Sequence, residues 1–230
     1  AQLIEGFDST SYRYVSSPNQ VLKTKIYVHS ASGWHAHMIP SFMQPVKHIF
    51  ENAGINLEII SVEQVDFTIN SKTSTSRYFE FIFSSISETK FDYSDKVLNL
   101  FFTDLIPVDG YRDAQGLSDG IPGKSFCSPG CKTGVVITTP LSAGFSREYI
   151  VKKTVSVAHE IGHFLGLYHT KGSSEELGIA QTGFASSWNH SNHFIMDTRR
   201  NYNGNFTFPS FSAKQALIMS RHPLVNSKYE

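Results

Sequence analysis

In LKTKIYVHS at 22–30, Ile26 and Val28 alternate with Lys25 and Tyr27, and that period of two predicts a strand. Beyond a loop holding Trp34 and Pro40 the period lengthens. Phe42, Met43, Val46, Ile49 and Phe50 recur every three or four residues in SFMQPVKHIFENAG, the stripe of an amphipathic helix that Gly54 ends. INLEIISVEQVDFTI at 55–69 and RYFEFIFSSI at 77–86 read as strands, and KVLNLFFTDLI at 96–106 is the most apolar strand candidate. A turn-rich loop fills 107–134 before another strand, GVVITT at 134–139. From 146 to 167 the helical period returns. Ile150, Val151, Val155, Val157, Ala158, Ile161, Phe164 and Leu165 give a surface broad enough for a central, largely buried helix. Periodicity fades in the Gly-, Ser-, Asn- and Thr-rich stretch 170–210. A last helix is expected at 212–222, with Ser212 as its N-cap and Pro223 just past its end. Strands alternating with helices imply an α/β or α+β layer rather than a barrel or bundle.

Composition narrows the partners. The 20 Lys and Arg balance 20 Asp and Glu, and no basic run offers a stripe for phosphates, which speaks against nucleic acid. No stretch of about 18 apolar residues is present to span a membrane. At 230 residues the chain suits one domain with a sizeable core. The opening AQLIEGFDST lacks the charged-then-apolar order of a secretion signal, as a mature secreted protein also would. The two cysteines, Cys127 and Cys131, flank a Pro129–Gly130 turn in FCSPGCKTG. A short-loop disulfide is sterically reasonable there and favours an oxidising compartment; a pair of reduced thiols is the alternative.

The densest chemistry is HEIGHFLGLYHT at 159–170. His159 and His163 are four apart, so a helix projects both from one face toward a single ion. Neutral imidazoles suit zinc, and two of them leave room for a third ligand and a water. Glu160 stands beside that water, placed to take its proton as general base and give it to a leaving amine as general acid. A straight helix would carry His169 away from the ion. Gly166 can adopt a left-handed conformation, end the helix and turn the chain back, which makes His169 a credible third ligand.

HEIGHFLGLYH resembles the HExxHxxGxxH signature of the metzincin zinc endopeptidases, and FIMD at 194–197 resembles their Met-turn. The resemblance implies one zinc ion bound by His159, His163 and His169, Glu160 as general base and acid, and Met196 as an apolar base beneath the metal. It also implies an α+β fold: a mostly parallel twisted sheet with an antiparallel edge strand, a long active-site helix, and an irregular C-terminal lobe. In that scheme residues 1–230 form a single domain, its upper lobe ending near 169 and its lower lobe filling 170–230. The His169–Thr170 pair, LGL at 165–167, NLFFTDLI, GVVI and FSAKQ are similar to the pappalysin-like (cytophagalysin) group within the clan. An edge strand that pairs with extended substrate is part of the family picture. LNLFFTDLI at 98–106 is the candidate, with a buried central strand as the alternative.

The sequence departs from the family pattern in two places. Thr198 stands where several metzincins have a tyrosine, with Tyr202 as a conceivable substitute. Residues 170–195 hold no cysteine and only Glu175 and Glu176 as acids, so calcium is not supported there. His35 and His37 in WHAH read as loop residues, and Asp109, Asp113 and Asp119 as solvated turn residues rather than ligands. Arg199 and Arg200 raise the idea of a preference for acidic side chains; NHS at 189–191 and NFT at 205–207 match the glycosylation sequon. The expectation is a secreted, monomeric zinc endopeptidase acting on extended segments of extracellular proteins. Hydrolysis of a non-peptide amide, or a silent binding module on the same scaffold, are the alternatives.

Overall fold

The alternation near the start of the chain is a strand in the structure, a computed structural model. It describes residues 20–66, 97–104, 115–123, 133–139, 145–169, 195–196 and 210–227. Strand β1 (Gln20–His29) leads through a 3-10 turn at Ala36–Met38 into helix α1 (Ile39–Glu51), followed by β2 (Ile55–Val65). Then come β3 (Leu98–Thr103), β4 (Gly116–Ser118) and β5 (Val135–Thr138). Helix α2 (Arg147–Phe164), helix α3 (Ala213–Met219) and β6 (Val225–Ser227) complete the order. Pro40 opens α1 instead of ending the loop before it, because the first helical turn has no use for the amide hydrogen that proline lacks. Ser212 caps α3 as expected, and Gln215 reciprocates through its side chain to complete a capping box.

The strands form one sheet in the order β2-β1-β3-β5-β4. The first four of these run parallel, and β4 is antiparallel to β5 with Gly116 opposite Ile137. This is the mostly parallel sheet with an antiparallel edge that the resemblance implied, but with a different edge strand. Residues 98–103 sit between β1 and β5, so the proposed edge strand at 98–106 is central, and the sheet ends instead at β4, inside the stretch expected to be loop. The physical reason is legible in burial. Leu98, Leu100 and Phe102 on one face and Phe101 on the other are all fully buried, the continuous apolar run of a strand covered on both sides.

Helices α1 and α2 pack on each other, α1 on β2 and α2 on β4 and β5. Between them and the sheet lies a core of Leu22, Ile26 and Val28 from β1, Leu100 and Phe102 from β3, Phe42 and Val46 from α1, and Val157 and Ile161 from α2. Burying each such side chain contributes on the order of 1.5–3 kcal/mol, which fixes α2 rigidly below the sheet. Helix α2 is central and largely buried, as its broad apolar surface predicted. Among the described residues, no helix is long and apolar enough to cross a membrane. The strand expected at 77–86, the cysteines, Asp109, Asp113, Thr198, Arg199, Arg200, Tyr202 and both sequons lie outside the described residues.

Candidate metal centre

Ser146 caps α2 by accepting a hydrogen bond from the Tyr149 amide at 3.2 Å, and the helix then runs 18 residues to Phe164. Spacing does the rest for two ligands: His159 and His163 leave one face on adjacent turns, only 3% and 5% exposed. His159 Nδ1 lies 2.8 Å from the Ile195 carbonyl oxygen, and His163 Nδ1 lies 2.7 Å from that of Leu167. A carbonyl only accepts, so each Nδ1 carries the proton and each Nε2 keeps its lone pair for a metal.

The third histidine arrives through the predicted bend. The Leu167 amide donates to the Gly162 carbonyl and the Gly166 amide to that of His163, both at 2.9 Å, the paired bonds of a Schellman helix end. Gly166 supplies the left-handed residue this end requires, with φ at +105°. The chain reverses, and His169 Nε2 comes within 3.1 Å of His159 Nε2 and 2.9 Å of His163 Nε2. Two nitrogens bound tetrahedrally to one zinc at about 2.0–2.1 Å would stand about 3.3 Å apart, so the three rings are poised for an ion of this size. Among the described residues, His159, His163 and His169 are the one group of three side chains able to hold a metal together. His35 and His37 stack on each other with ring centroids 5.7 Å apart at an exposed turn and take no part.

Three supports surround this cluster. Ile195 and Met196 are fully buried against α2, so close that a Cβ on Gly162 would lie 2.7 Å from the Met196 sulfur. Around the bend, the turn at residues 120–123 acts as a brace. The Gly123 amide donates to Phe164 O at 2.8 Å, and Tyr168 Oη donates to Ile121 O at 3.3 Å. A Cβ on Gly123 would overlap the Phe164 ring at 2.3 Å, so only glycine allows this approach. His222 locks the brace from α3's end: its Nε2–H donates to Gly123 O, and its Nδ1 accepts from the Leu224 amide, both at 3.3 Å. Burial pushes the His222 pKa below its usual 6.5, with the Gly123 hydrogen bond opposing in part. Above the cluster, Glu160 is half-buried against β4, where a Cβ on Gly116 would stand 2.5 Å from Glu160 Cγ.

The sequence pattern singled out His159, Glu160, His163, Gly166, His169 and Met196, and the structure brings these into one neighbourhood. It left out Gly116, Gly123 and His222. Two of these are glycines in a Gly-rich loop, where nothing local separates a close approach from an ordinary turn. His222 carried one usable signal, a histidine at the end of a helix just before Pro223.

A family model described as "Metallo-peptidase family M12B Reprolysin-like" matches residues 36–170. The fold is similar to the crystal structure of metalloproteinase-II from Bacteroides fragilis, with a TM-score of 0.52 at 18% identity over 90% of this chain. The chain spans about half of that protein, 54% of its length. It is also similar to mature mirolysin of Tannerella forsythia, solved with a cleaved peptide, with a TM-score of 0.51 at 15% identity over 87% of this chain and 90% of that one. At these identities the two structures speak to the fold. A 41-residue segment, 18% of the chain, is 46% identical to 73% of the lantibiotic nisin-U of Streptococcus uberis.

Proposed function

We infer that this chain, which belongs to the reprolysin-like family M12B of metallopeptidases, is a zinc endopeptidase that cuts extended segments of extracellular proteins. The convergence of three Nε2 atoms, with the first two rings turned by backbone carbonyls, carries this reading. Neutral imidazoles in this number suit zinc and leave a position open for a reacting group. A zinc ion held there supplies Lewis acidity, polarising a scissile carbonyl and making a water acidic enough to lose its proton near neutral pH.

The chain's own residues then do the following. His159 and His163 hold their Nε2 lone pairs in place through their Nδ1 hydrogen bonds, and His169 completes the set. The Glu160 carboxylate takes one proton from the attacking water as its oxygen bonds to the carbonyl carbon, and delivers that proton to the amide nitrogen as the C–N bond breaks. Among the described residues β4 pairs with β5 alone and so ends the sheet. Its outer edge, rather than 98–106, is the place where an extended peptide adds a strand beside Glu160. Met196 closes the floor below the histidines. The finer likeness to the pappalysin-like group rests on the His169–Thr170 pair and LGL at 165–167. A secreted location and a Cys127–Cys131 bridge belong to the same proposal; a mass shift of two hydrogens on reduction tests the bridge.

The decisive experiment is Glu160→Gln. It is expected to retain about one zinc per chain and to lose about 10²- to 10⁴-fold in kcat on a denatured-protein substrate. Undiminished cleavage by that variant would sink the mechanism.

A further inference from the structure

Helix α2 carries a lysine where its apolar face meets the sheet. Lys153 is 1% exposed, three residues after Ile150 and four before Val157 on the stripe that faces inward. Its Nζ donates to Gln115 Oε1 at 2.7 Å and to Thr138 Oγ1 at 3.1 Å, and lies 5.6 Å from the centre of the Tyr149 ring. Thr138 in turn grips the backbone of Gln115, its amide at 3.1 Å and its hydroxyl at 3.2 Å from Gln115 O. Gln115 is therefore held at side chain and backbone, immediately before β4 begins.

The next residue, Gly116, packs closely against Glu160. A Cβ there would stand 2.5 Å from Glu160 Cγ, 3.0 Å from Ile137 Cδ1 and 3.0 Å from Val136 O, so β4 lies as near the glutamate as a chain can. Lys153 and Glu160 are seven residues apart, which on an α-helix puts them on the same face two turns apart. One face of α2 thus meets two consecutive residues of the edge segment: Lys153 ties the first and Glu160 abuts the second.

Burying an ammonium among neutral oxygens costs free energy that a methionine of similar length would not. The lysine adds aim, since its fixed donors set the position of Gln115. Burial lowers its pKa from 10.5 to about 8, so at pH 7 it still has all three.

We propose that Lys153 is a positioning residue for peptide hydrolysis: by tying Gln115 to α2 it fixes the height of β4 over Glu160, and with it the placement of a peptide strand paired to β4. The proposal rests on the peptidase reading and extends it to a residue far along the helix from the metal cluster. A displacement of about 1 Å between substrate and general base is enough to cost on the order of 100-fold in rate.

Two single variants break the tie from opposite sides, Lys153→Met within the core and Gln115→Leu at its exposed end. Each is expected to keep about one zinc per chain and to lower kcat about 10- to 100-fold, with KM changed less than about threefold. Amide hydrogen exchange on the metal-free proteins should speed up at Thr138 and β4 and stay unchanged in β1 and β3. The double variant Lys153→Met/Gln115→Leu removes donor and acceptor together, so thermal stability should recover toward wild type while kcat does not. If kcat stays within threefold of wild type in both single variants, or returns with stability in the double, Lys153 only packs and the proposal is overturned. Zinc-loaded wild type that cuts no peptide would remove the peptidase reading itself, whereas unchanged exchange at Thr138 and β4 would remove only the tie.

Discussion

His159 and His163 make the same bond with different kinds of partner. Both are nearly buried, and both give the Nδ1 proton to a backbone carbonyl, at 2.8 and 2.7 Å. The carbonyl facing His163 belongs to Leu167, four residues on, and is presented by the helix end itself. The one facing His159 belongs to Ile195, 36 residues on, in the segment that carries Met196. One ligand is aimed by local backbone geometry and the other by docking of a distant segment. The chemistry of a site does not reveal which parts of a fold it depends on; the origin of each supporting carbonyl does.

That contrast can be broken from either side. Gly166→Ala should have the largest effect, because a side chain at φ +105° is strained and the bend supplies both the Leu167 carbonyl and His169. Stability should fall by about 1–3 kcal/mol. Zinc affinity, measured by chelator competition, should fall more than about 100-fold, since each lost support is worth about 10- to 100-fold. Met196→Ala attacks the distant side. Emptying a fully buried site costs about 2–5 kcal/mol, and loosening the Ile195 carbonyl should weaken zinc by about 10- to 100-fold. In nitrogen-15 spectra of the metal-free protein, the His159 ring should lose its fixed tautomer while His163 keeps it. Equal disturbance of the two rings would erase the distinction.

The smallest expected effect is acid weakening of the local side. His222 has its folded pKa depressed by burial, so between that value and the unfolded 6.5 the unfolded chain binds more protons. Its contribution is complete above about pH 6.5 and is lost as pH falls through the folded value. The gap in Tm between wild type and His222→Asn should therefore narrow from pH 7.5 to pH 5.5. A gap that widens would mean that His222 is favoured as the charged form, contrary to its two neutral partners.

Features carried by period or spacing were legible in the sequence. The four-residue step from His159 to His163 needs only a helix, and the glycine at 166 needs only a helix end. Helices α1 and α2 followed from apolar stripes. The edge strand did not: β4 is Gly116–Ser118, too short to show alternation, and it exists by its register with β5. The family picture of an edge strand drew attention to 98–106, where apolar residues on both faces already pointed to the middle of a sheet. Ile195 was invisible for another reason, since it acts through a carbonyl that every residue type possesses. Lys153 left a trace that sequence reading passed over, a charge at three- and four-residue spacing from Ile150 and Val157.

The sheet also joins the two ends of the described fold. Gln20, Val21 and Leu22 of β1 pair with Ser227, Asn226 and Val225 of β6, and Gln20 Nε2 reaches across 200 positions to the Ser220 carbonyl at 3.0 Å. During synthesis β1 is made well before β6, so its opening residues cannot find this neighbour until the chain has been read through 227. Closure waits on a contact of the longest range, which makes it a late and slow event in assembly. Until then the start of β1 offers an unpaired edge to any passing strand, a template for aggregation that pairing with β6 removes.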